Sequence, residues 1–236
     1  MRNFQRIVIL LFALTFLIAG CDTSTETAGV RIPDKAFLNR LLAAGVDQDG
    51  DGLISEAEAE ATVSLRIPPS GISDLTGLEA FTGLDSLIVT LNPISIIDLS
   101  ENRALRVLEL TSCGLTVLDV SRNPELRELN CGRNMLTELD LSGSTLLTRL
   151  ILNNNLFTSL DLSFNSSLET MISCGNRLTK LDISMLQHLK LIGVDNMPML
   201  KEVCVWTLPF PPEGVTVLQT YSPQIQFTLD CTGESH

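Results

Sequence analysis

Four acidic side chains between residues 47 and 58 have the types and the spacing needed to bind a metal ion. In the stretch DQDGDGLISEAE, Asp47, Asp49, Asp51 and Glu58 occupy positions 1, 3, 5 and 12, and Gly52 occupies position 6. Alternate residues of a tightly wound loop point inward, so the three aspartates can present oxygens to one centre. Ca²⁺ is a hard cation that takes about six to eight oxygen ligands. The sequence therefore predicts a calcium site.

This stretch resembles the EF-hand calcium loop at each informative position. The resemblance implies that Leu53 binds through its carbonyl, Ser55 directly or through water, and Glu58 with two oxygens. Ser55 and Glu58 also form an S-x-x-E capping box for the following helix, which would explain both without a metal. No second loop is visible to pair with Ile54, so we expect weak, structural binding of about 10⁻⁴ to 10⁻³ M.

Catalytic chemistry finds little support in the sequence. The two histidines are His188 and the final residue, His236, and the sequence has no G-x-S-x-G, C-x-x-C, P-loop or H-E-x-x-H motif. The acidic run Glu56, Glu58 and Glu60 is most simply a solvated helix start. We therefore expect that the protein is not an enzyme.

A leucine-led unit that recurs every 21 residues must position everything after the acidic loop. Its first leucines are Leu84, Leu105, Leu126, Leu147, Leu168 and Leu189. An asparagine column recurs within the same unit, at Asn92, Asn134, Asn155 and Asn176, with Cys113 in place of one asparagine. A fixed period of this length is typical of a solenoid, in which each coil buries apolar surface against its neighbours.

The pattern L-x-x-L-x-L-x-x-N/C resembles the leucine-rich repeat over about six coils. The resemblance implies an α/β solenoid, mostly β, in which the L-x-L segments form a parallel sheet and the asparagine amides bond open backbone groups inside the stack. This ladder should be weakest at Cys113. Residues 71–75 resemble the coils of internalin-type repeats, and the spacing after them suits a 3₁₀ turn. In the later coils, the Leu-Asp-Leu-Ser segments are expected to form extended strands on the opposite side.

A second recurring motif is Asp, an aliphatic residue and Ser. Its acidic members are Asp98, Asp119, Asp140, Asp161 and Asp182. Such a column could be mistaken for a row of metal ligands. Because Asp and Ser side chains bond nearby backbone amides, we expect it to cap the turn of each coil.

The outward face of the predicted sheet is the candidate interaction surface. If the leucine columns point inward, steps 2, 4 and 6 of each coil point outward and form a mixed surface without aromatic anchors. The candidate binding residues are Glu109, Glu128, Asn130, Arg149, Ile151, Asn153, Ile172 and Cys174. Ile151 and Ile172 could form a small apolar patch. The alternative is a sheet that is merely solvated.

The first twenty residues have the layout of a secretory leader, with two arginines followed by an apolar run from 7 to 18 that is too short to span a bilayer. Residues 18–21 resemble the lipobox of bacterial lipoproteins, which implies that Cys21 carries a lipid. An ordinary signal peptide with an incidental cysteine is the alternative. The resemblance places the protein in the cell envelope, anchored outside the cytoplasm at the outer membrane or cell surface.

These patterns divide the chain into five parts. The predicted parts are a signal peptide at 1–20, a flexible tether at 21–33, an EF-hand-like helical cap at 34–61, leucine-rich repeats at 62–198 and a C-terminal cap at 199–236. The first helix of the N-terminal cap is expected to open at Pro33 and to end at Gly45. Trp206 is expected to plug the C-terminal cap.

Five cysteines remain once Cys21 is assigned to the lipid. Cys113 and Cys131 lie in adjacent coils but three columns apart, about 10 Å along the strand, beyond the roughly 7 Å limit between bridged Cα atoms. Cys174 and Cys131 point to opposite sides. Only Cys204 and Cys231 can pair, and the sequence leaves open whether they do.

The formal charge of −12 opposes binding to nucleic acid or to anionic membrane surfaces. We therefore expect a monomeric, lipid-anchored, calcium-stabilised repeat protein that binds a protein or a glycan ligand through its sheet face and contacts the membrane through its lipid alone. The alternative is an assembly module whose acidic loop docks to a scaffold in a calcium-dependent manner, as dockerins do. Dockerins use two loops, and this chain has one.

Overall fold

The computed structural model of the protein describes residues 29–229 and 231. Short strands follow one another coil by coil along this part of the chain. In chain order they are β1 (Ser64–Ile67), β2 (Ser86–Thr90), β3 (Val107–Thr111), β4 (Glu128–Asn130), β5 (Arg149–Ile151), β6 (Thr170–Ile172), β7 (Lys180–Asp182), β8 (Leu191–Gly193), β9 (Glu202–Cys204), β10 (Thr216–Leu218) and β11 (Gln226–Thr228). Eight of them form one parallel sheet in the order β1-β2-β3-β4-β5-β6-β8-β10.

The register of this sheet follows the 21-residue period. Leu87 lies opposite Leu108, Leu108 opposite Leu129, and Leu129 opposite Leu150, and all four side chains are fully buried. The six leucines that open the repeat units are also buried in the core. Side chains alternate across the sheet because successive residues of a strand point to opposite faces. The predicted leucine-rich repeat solenoid is therefore confirmed.

Buried asparagines bond the coils together inside the stack. Asn134 Oδ1 accepts hydrogen bonds from the backbone N of Cys113 (3.0 Å) and Leu115 (3.1 Å), and its Nδ2 donates to the carbonyls of Leu110 and Cys131. Asn92, Asn155 and Asn176 bond neighbouring coils in the same way. The Cys113 thiol contacts carbonyl oxygens only at 3.5 and 3.6 Å. As expected, the ladder is weakest at this coil.

A second column of buried polar residues was not predicted. Asn102, Asn123 and Asn165 are fully buried, and each Nδ2 donates to two carbonyls of the preceding coil. Ser144 occupies the same column and is also buried. Their regular 21-residue spacing was the available sequence signal. This ladder stabilises the coils on the side away from the first asparagine column.

The repeated aspartates cap turns, as predicted. Each of the five accepts a hydrogen bond of 2.9 Å from the backbone N of the serine two residues later. The expectation that the later coils carry a second strand is met in part: within residues 29–229, β7, β9 and β11 form a three-stranded sheet on this side. The earlier coils are joined to one another by isolated backbone hydrogen bonds after the asparagine column, such as Met135 N to Leu115 O at 2.8 Å.

Two helices cover the N-terminal end of the stack. Helix α1 spans Lys35–Ala43 and helix α2 spans Glu56–Ala61, and a short 3₁₀ turn follows at Leu78–Ala80. Phe37 and Leu41 of α1 are fully buried in the common core. The helix begins after Asp34 rather than at Pro33. The Asp34 carboxylate caps it by accepting hydrogen bonds from the free N–H groups of the first turn. Gly45, at a φ of +75°, ends it as predicted.

Strand stacking continues through the segment that the sequence marked as a C-terminal cap. β9 pairs with β7 and β10 pairs with β8, so both sheets extend beyond residue 198. Cys204 and Cys231 form a disulfide, with their Cα atoms 5.4 Å apart, and this confirms the one pairing that the sequence allowed. Trp206 is half-buried and packs edge-on against Phe210, with ring centroids 5.3 Å apart.

The predicted signal peptide and the lipidation site at Cys21 lie outside the described residues. Among the helices between residues 29 and 229, none combines the length and the apolar character that a bilayer-spanning helix requires.

Candidate calcium loop and binding face

The acidic loop lies between α1 and α2 and has a tightly wound backbone. Gly50 and Gly52 adopt φ angles of +78° and +84°, a left-handed conformation that glycine adopts without strain. The two Asp47 oxygens accept hydrogen bonds from the backbone N of Gly50 (2.7 Å) and Gly52 (3.0 Å). Asp49 accepts from Asp51 N at 3.1 Å. The loop backbone therefore holds these carboxylates in place.

Glu58 closes the loop from the first turn of α2. Its Oε1 accepts from Gln48 N at 2.6 Å, and its Oε2 accepts from Ser55 N at 2.9 Å and from Ser55 Oγ at 2.8 Å. The capping box predicted for Ser55 and Glu58 is present. The backbone N–H groups of Gln48 and Ser55, together with the Ser55 hydroxyl, lower the pKa of Glu58 to about 2. The carboxylate is therefore ionised at neutral pH.

Three of the four predicted carboxylate ligands converge. One oxygen from each of Asp47, Asp49 and Glu58 lies within 4.8 Å of the others. Ligands on opposite sides of one Ca²⁺ lie up to about 5 Å apart, because each Ca–O bond is about 2.3–2.6 Å long. This spacing fits the ion. The Asp51 carboxylate is outside the group and accepts instead from Leu53 N at 2.8 Å.

Ile54 has a partner that the sequence analysis missed. Its carbonyl accepts a hydrogen bond from Val30 N at 2.6 Å, and its side chain is buried. Gly29 packs so closely that an added Cβ would lie 3.1 Å from the Ile54 carbonyl oxygen. Residues 29–33 therefore lie against the cap and occupy the position that a second loop takes in a two-loop module. The alternation of apolar Val30 and Ile32 around Arg31 was the sequence signal for this strand-like segment.

Asp34 joins the cap to the first coil. While its Oδ1 caps α1, its Oδ2 accepts from the backbone N of Ser73 (3.0 Å) and Asp74 (3.2 Å). Desolvation raises the pKa of the Asp34 carboxyl, but the hydrogen bonds from backbone N–H groups outweigh this effect. The pKa of Asp34 is therefore lowered. One carboxylate thus fixes the orientation of α1 relative to the solenoid.

The eight-stranded sheet presents the predicted binding residues on its outward face, which is called the sheet face below. Glu109, Asn130, Ile151 and Ile172 lie in register on consecutive strands β3 to β6 and form one row. Glu128 and Arg149 are neighbours in the adjacent row and are exposed. The remaining candidates, Asn153 and Cys174, are half-buried on the same face. Ile151 and Ile172 therefore form the expected apolar pair.

Two buried glycines of the sheet face leave room for the side chains of the neighbouring coil. A Cβ on Gly132 would lie 2.6 Å from Asn153 Oδ1, and one on Gly193 would lie 2.8 Å from Ile172 Cγ2 and 3.1 Å from Cys174 Sγ. Burial raises the pKa of the Cys174 thiol, so this cysteine is not an activated nucleophile. At these two positions the neighbouring side chains, rather than open space, lie over the glycine backbone.

An aromatic side chain lies beside the sheet face, although the repeat columns predicted none. The backbone N of Tyr221 donates to the carboxylate of Asp195, which belongs to the last row of the face, and the Tyr221 side chain is 77% exposed. Tyr221 follows β10, whose offset from β8 is 25 residues rather than 21. The changed period hid this position from the repeat pattern.

The fold defines the class of protein: a leucine-rich repeat solenoid with a helical N-terminal cap. No protein-family model matches the chain. Over 88 residues it is 40% identical to Internalin J of Listeria monocytogenes, a match that covers 37% of this chain and 9% of that relative.

Two solved structures share the fold. A leucine-rich repeat protein of Leptospira interrogans has a TM-score of 0.55 at 17% identity, with 80% of this chain and 57% of that one covered. Internalin C2 of Listeria monocytogenes has a TM-score of 0.52 at 18% identity, with 83% and 94% covered. The chain therefore shares the leucine-rich repeat fold of these bacterial proteins and resembles Internalin J over part of its sequence.

Proposed function

We propose that the protein is a lipid-anchored, calcium-stabilised component of the bacterial cell envelope that binds a protein, or a glycan, through its sheet face. The row formed by Glu109, Asn130, Ile151 and Ile172 is the observation that carries this proposal. It places a carboxylate, an amide and two aliphatic side chains in one line on rigid strands. Such a mixture provides both apolar contact area and directional hydrogen bonds.

The two ends of the sheet face differ in chemistry. Glu109 and Glu128 supply negative charge at β3 and β4, and Arg149 supplies a positive charge at β5. From β5 onward the row that begins at Glu109 becomes apolar through Ile151 and Ile172. The exposed ring of Tyr221 lies near the end of this row. Aromatic and arginine side chains dominate the energy of protein interfaces. We infer that a ligand would gain most of its affinity between Arg149 and Tyr221, and its orientation from the two glutamates.

Calcium would have a structural role in this protein. Asp47 follows α1, whereas Glu58 belongs to α2, so an ion held by both would fix the two helices relative to each other. With a Kd of about 10⁻⁴ to 10⁻³ M, an ion concentration tenfold above the Kd would stabilise the folded state by about 1.4 kcal/mol. The cap covers the first coil, and calcium would therefore stabilise the end of the solenoid.

The anchor proposal depends on residues 18–21, which resemble a lipobox. An internalin-like class supports a position at the bacterial surface, where a protein-binding repeat can meet its partner. The dockerin-like alternative is disfavoured because Ile54 is buried and already bonded to Val30. The surface that a duplicated loop would use is occupied by the protein's own chain.

Site-specific photo-crosslinking in intact cells tests the binding proposal. A crosslinking amino acid would replace Ile151 on the sheet face and, in a matched variant, the exposed Ser159 on the opposite side of the same coil. We expect a discrete adduct only from position 151, and its loss when Arg149→Glu is added. Equal adducts from both positions, or an adduct that is indifferent to Arg149→Glu, would overturn the sheet face as the binding site.

A further inference from the structure

Among the described residues, the C-terminal end of the solenoid is less covered than the N-terminal end. Val217 of β10 lies in register with Ile192 of β8, and Phe227 of β11 lies in register with Val203 of β9. Ile192 and Val203 are fully buried, whereas Val217 and Phe227 are only half-buried. Within residues 29–229, nothing at this end corresponds to the helices that cover the first coil. The core is therefore partly exposed here.

Within the described part of the chain, the outer edge of β10 pairs with no further strand. β10 is the last strand of the eight-stranded sheet in the described part of the chain. Its bonds toward β8 use Thr216 N, which donates to Lys190 O, and Leu218 O, which accepts from Val194 N. Because the bonding direction alternates along a strand, the N–H and C=O of Val217 point to the open edge. An exposed edge of this kind is a template for a further strand.

The described part of this end carries little charge. Between residues 203 and 229 the only charged side chain is Glu213, in a chain whose formal charge is −12. The large apolar residues Leu208, Leu218, Tyr221 and Leu229 are between 43% and 77% exposed there. Neither Lys nor Pro, which commonly protect edge strands, occurs within β10 itself. Two copies of this acidic protein would repel each other least at this surface.

From these observations we propose that two copies join through their C-terminal ends, with β10 of one copy antiparallel to β10 of the other. A two-fold axis passes across the end coil through Val217. It places β10 of one copy beside β10 of the other, and β11 of one copy beside β11 of the other. The assembly ends at two copies because the contact uses the same surface on both of them. Continued head-to-tail stacking is blocked, since α1 and α2 cover the other end. The proposal is independent of the sheet-face function.

Sedimentation velocity of residues 22–236, which retain every residue that the structure describes, tests the dimer. We expect a particle of twice the mass of one chain as concentration rises. In the proposed register Thr216 of one copy faces Leu218 of the other, and both side chains are exposed. Thr216→Lys combined with Leu218→Lys should therefore abolish the dimer, because like charges lie opposite one another. Thr216→Lys combined with Leu218→Glu should retain it.

Thr170→Lys combined with Ile172→Lys is the matched control, because these residues occupy the same two rows on the interior strand β6. The control should still dimerise. A wild-type protein that keeps the mass of one chain at the highest soluble concentration would overturn the proposal. If removal of residues 232–236 then produced a dimer, the protein's own tail would be the occupant of this end, and the proposal would again be wrong. A dimer that survives the two lysines at 216 and 218 would also contradict it.

Discussion

The carboxylate of Asp34 bonds the backbone N of Ser73, 39 residues later in the chain, at 3.0 Å. The other oxygen of the same carboxylate caps α1. This single side chain thus couples the helical cap to the first coil of the solenoid. The acidic loop of residues 47–58 begins one helix length away, so the orientation of the cap depends on Asp34 at one end and on this loop at the other.

Replacement of Asp34 should separate its two contacts. Asp34→Asn keeps an acceptor for the α1 N-terminus but places an amide donor against the N–H of Ser73, whereas Asp34→Ala removes both contacts. We expect Asp34→Ala to lower the free energy of unfolding by about 1–2 kcal/mol, with a smaller loss for Asp34→Asn. Urea denaturation measures both, with the exposed Glu125→Gln as control. Equal stability of Asp34→Ala and wild type would contradict the coupling.

The protein should lose stability in acid because carboxylates of its helical N-terminal cap become protonated. Hydrogen bonds hold the pKa of Glu58 at about 2, below its ordinary value of 4.5, and that of Asp34 is also lowered. A carboxyl whose pKa is lower in the folded state stabilises the protein above the unfolded pKa, and this contribution is lost as pH falls toward the folded pKa. Melting temperatures measured from pH 5 to pH 2 should therefore decline. Glu58→Gln should decline less steeply, and an identical slope in the two proteins would refute this role.

Calcium should raise the thermal stability of the wild-type protein. Millimolar Ca²⁺ compared with EDTA should stabilise it by about 1 kcal/mol. Asp47→Asn combined with Glu58→Gln should abolish the increase, because it removes two of the three convergent carboxylates. Glu56→Gln removes a charge from the same helix but not from the loop and should preserve the response. An unchanged melting midpoint of the wild-type protein in the presence of calcium would eliminate the proposed site.

The asparagine ladder should contribute more to stability at Asn134 than its thiol substitute does at Cys113. Asn134→Ala leaves the buried backbone N of Cys113 and Leu115 without acceptors, and each unpaired group costs about 1–3 kcal/mol. Cys113→Ala removes only weak sulfur contacts and a little core volume, so we expect a loss near 1 kcal/mol. Chemical denaturation distinguishes the two. Similar losses would mean that the amide hydrogen bonds are not the main contribution of the column.

The repeated part of the chain was predictable because each coil makes its contacts with a copy of itself. Once Leu87, Leu108 and Leu129 recur at a constant interval, their register and the direction of every other column follow. The same reasoning correctly assigned the turn-capping aspartates and excluded all cysteine pairs except Cys204 with Cys231. It missed the column of Asn102 and Asn123, although the same period contained it.

The two ends of the chain were decided by tertiary structure, because their contacts have no periodic partner. The bond from Val30 to Ile54 and the bond from Ser73 to Asp34 join segments that are unrelated in sequence, so local patterns cannot indicate that they meet. The 25-residue offset before β10 likewise hid the exposed Tyr221 and the open edge at Val217. The sequence by itself determined the interior of the solenoid, since self-similar coils specify their own neighbours. Only the folded chain determined how, among the described residues, that interior is covered at one end and partly exposed at the other.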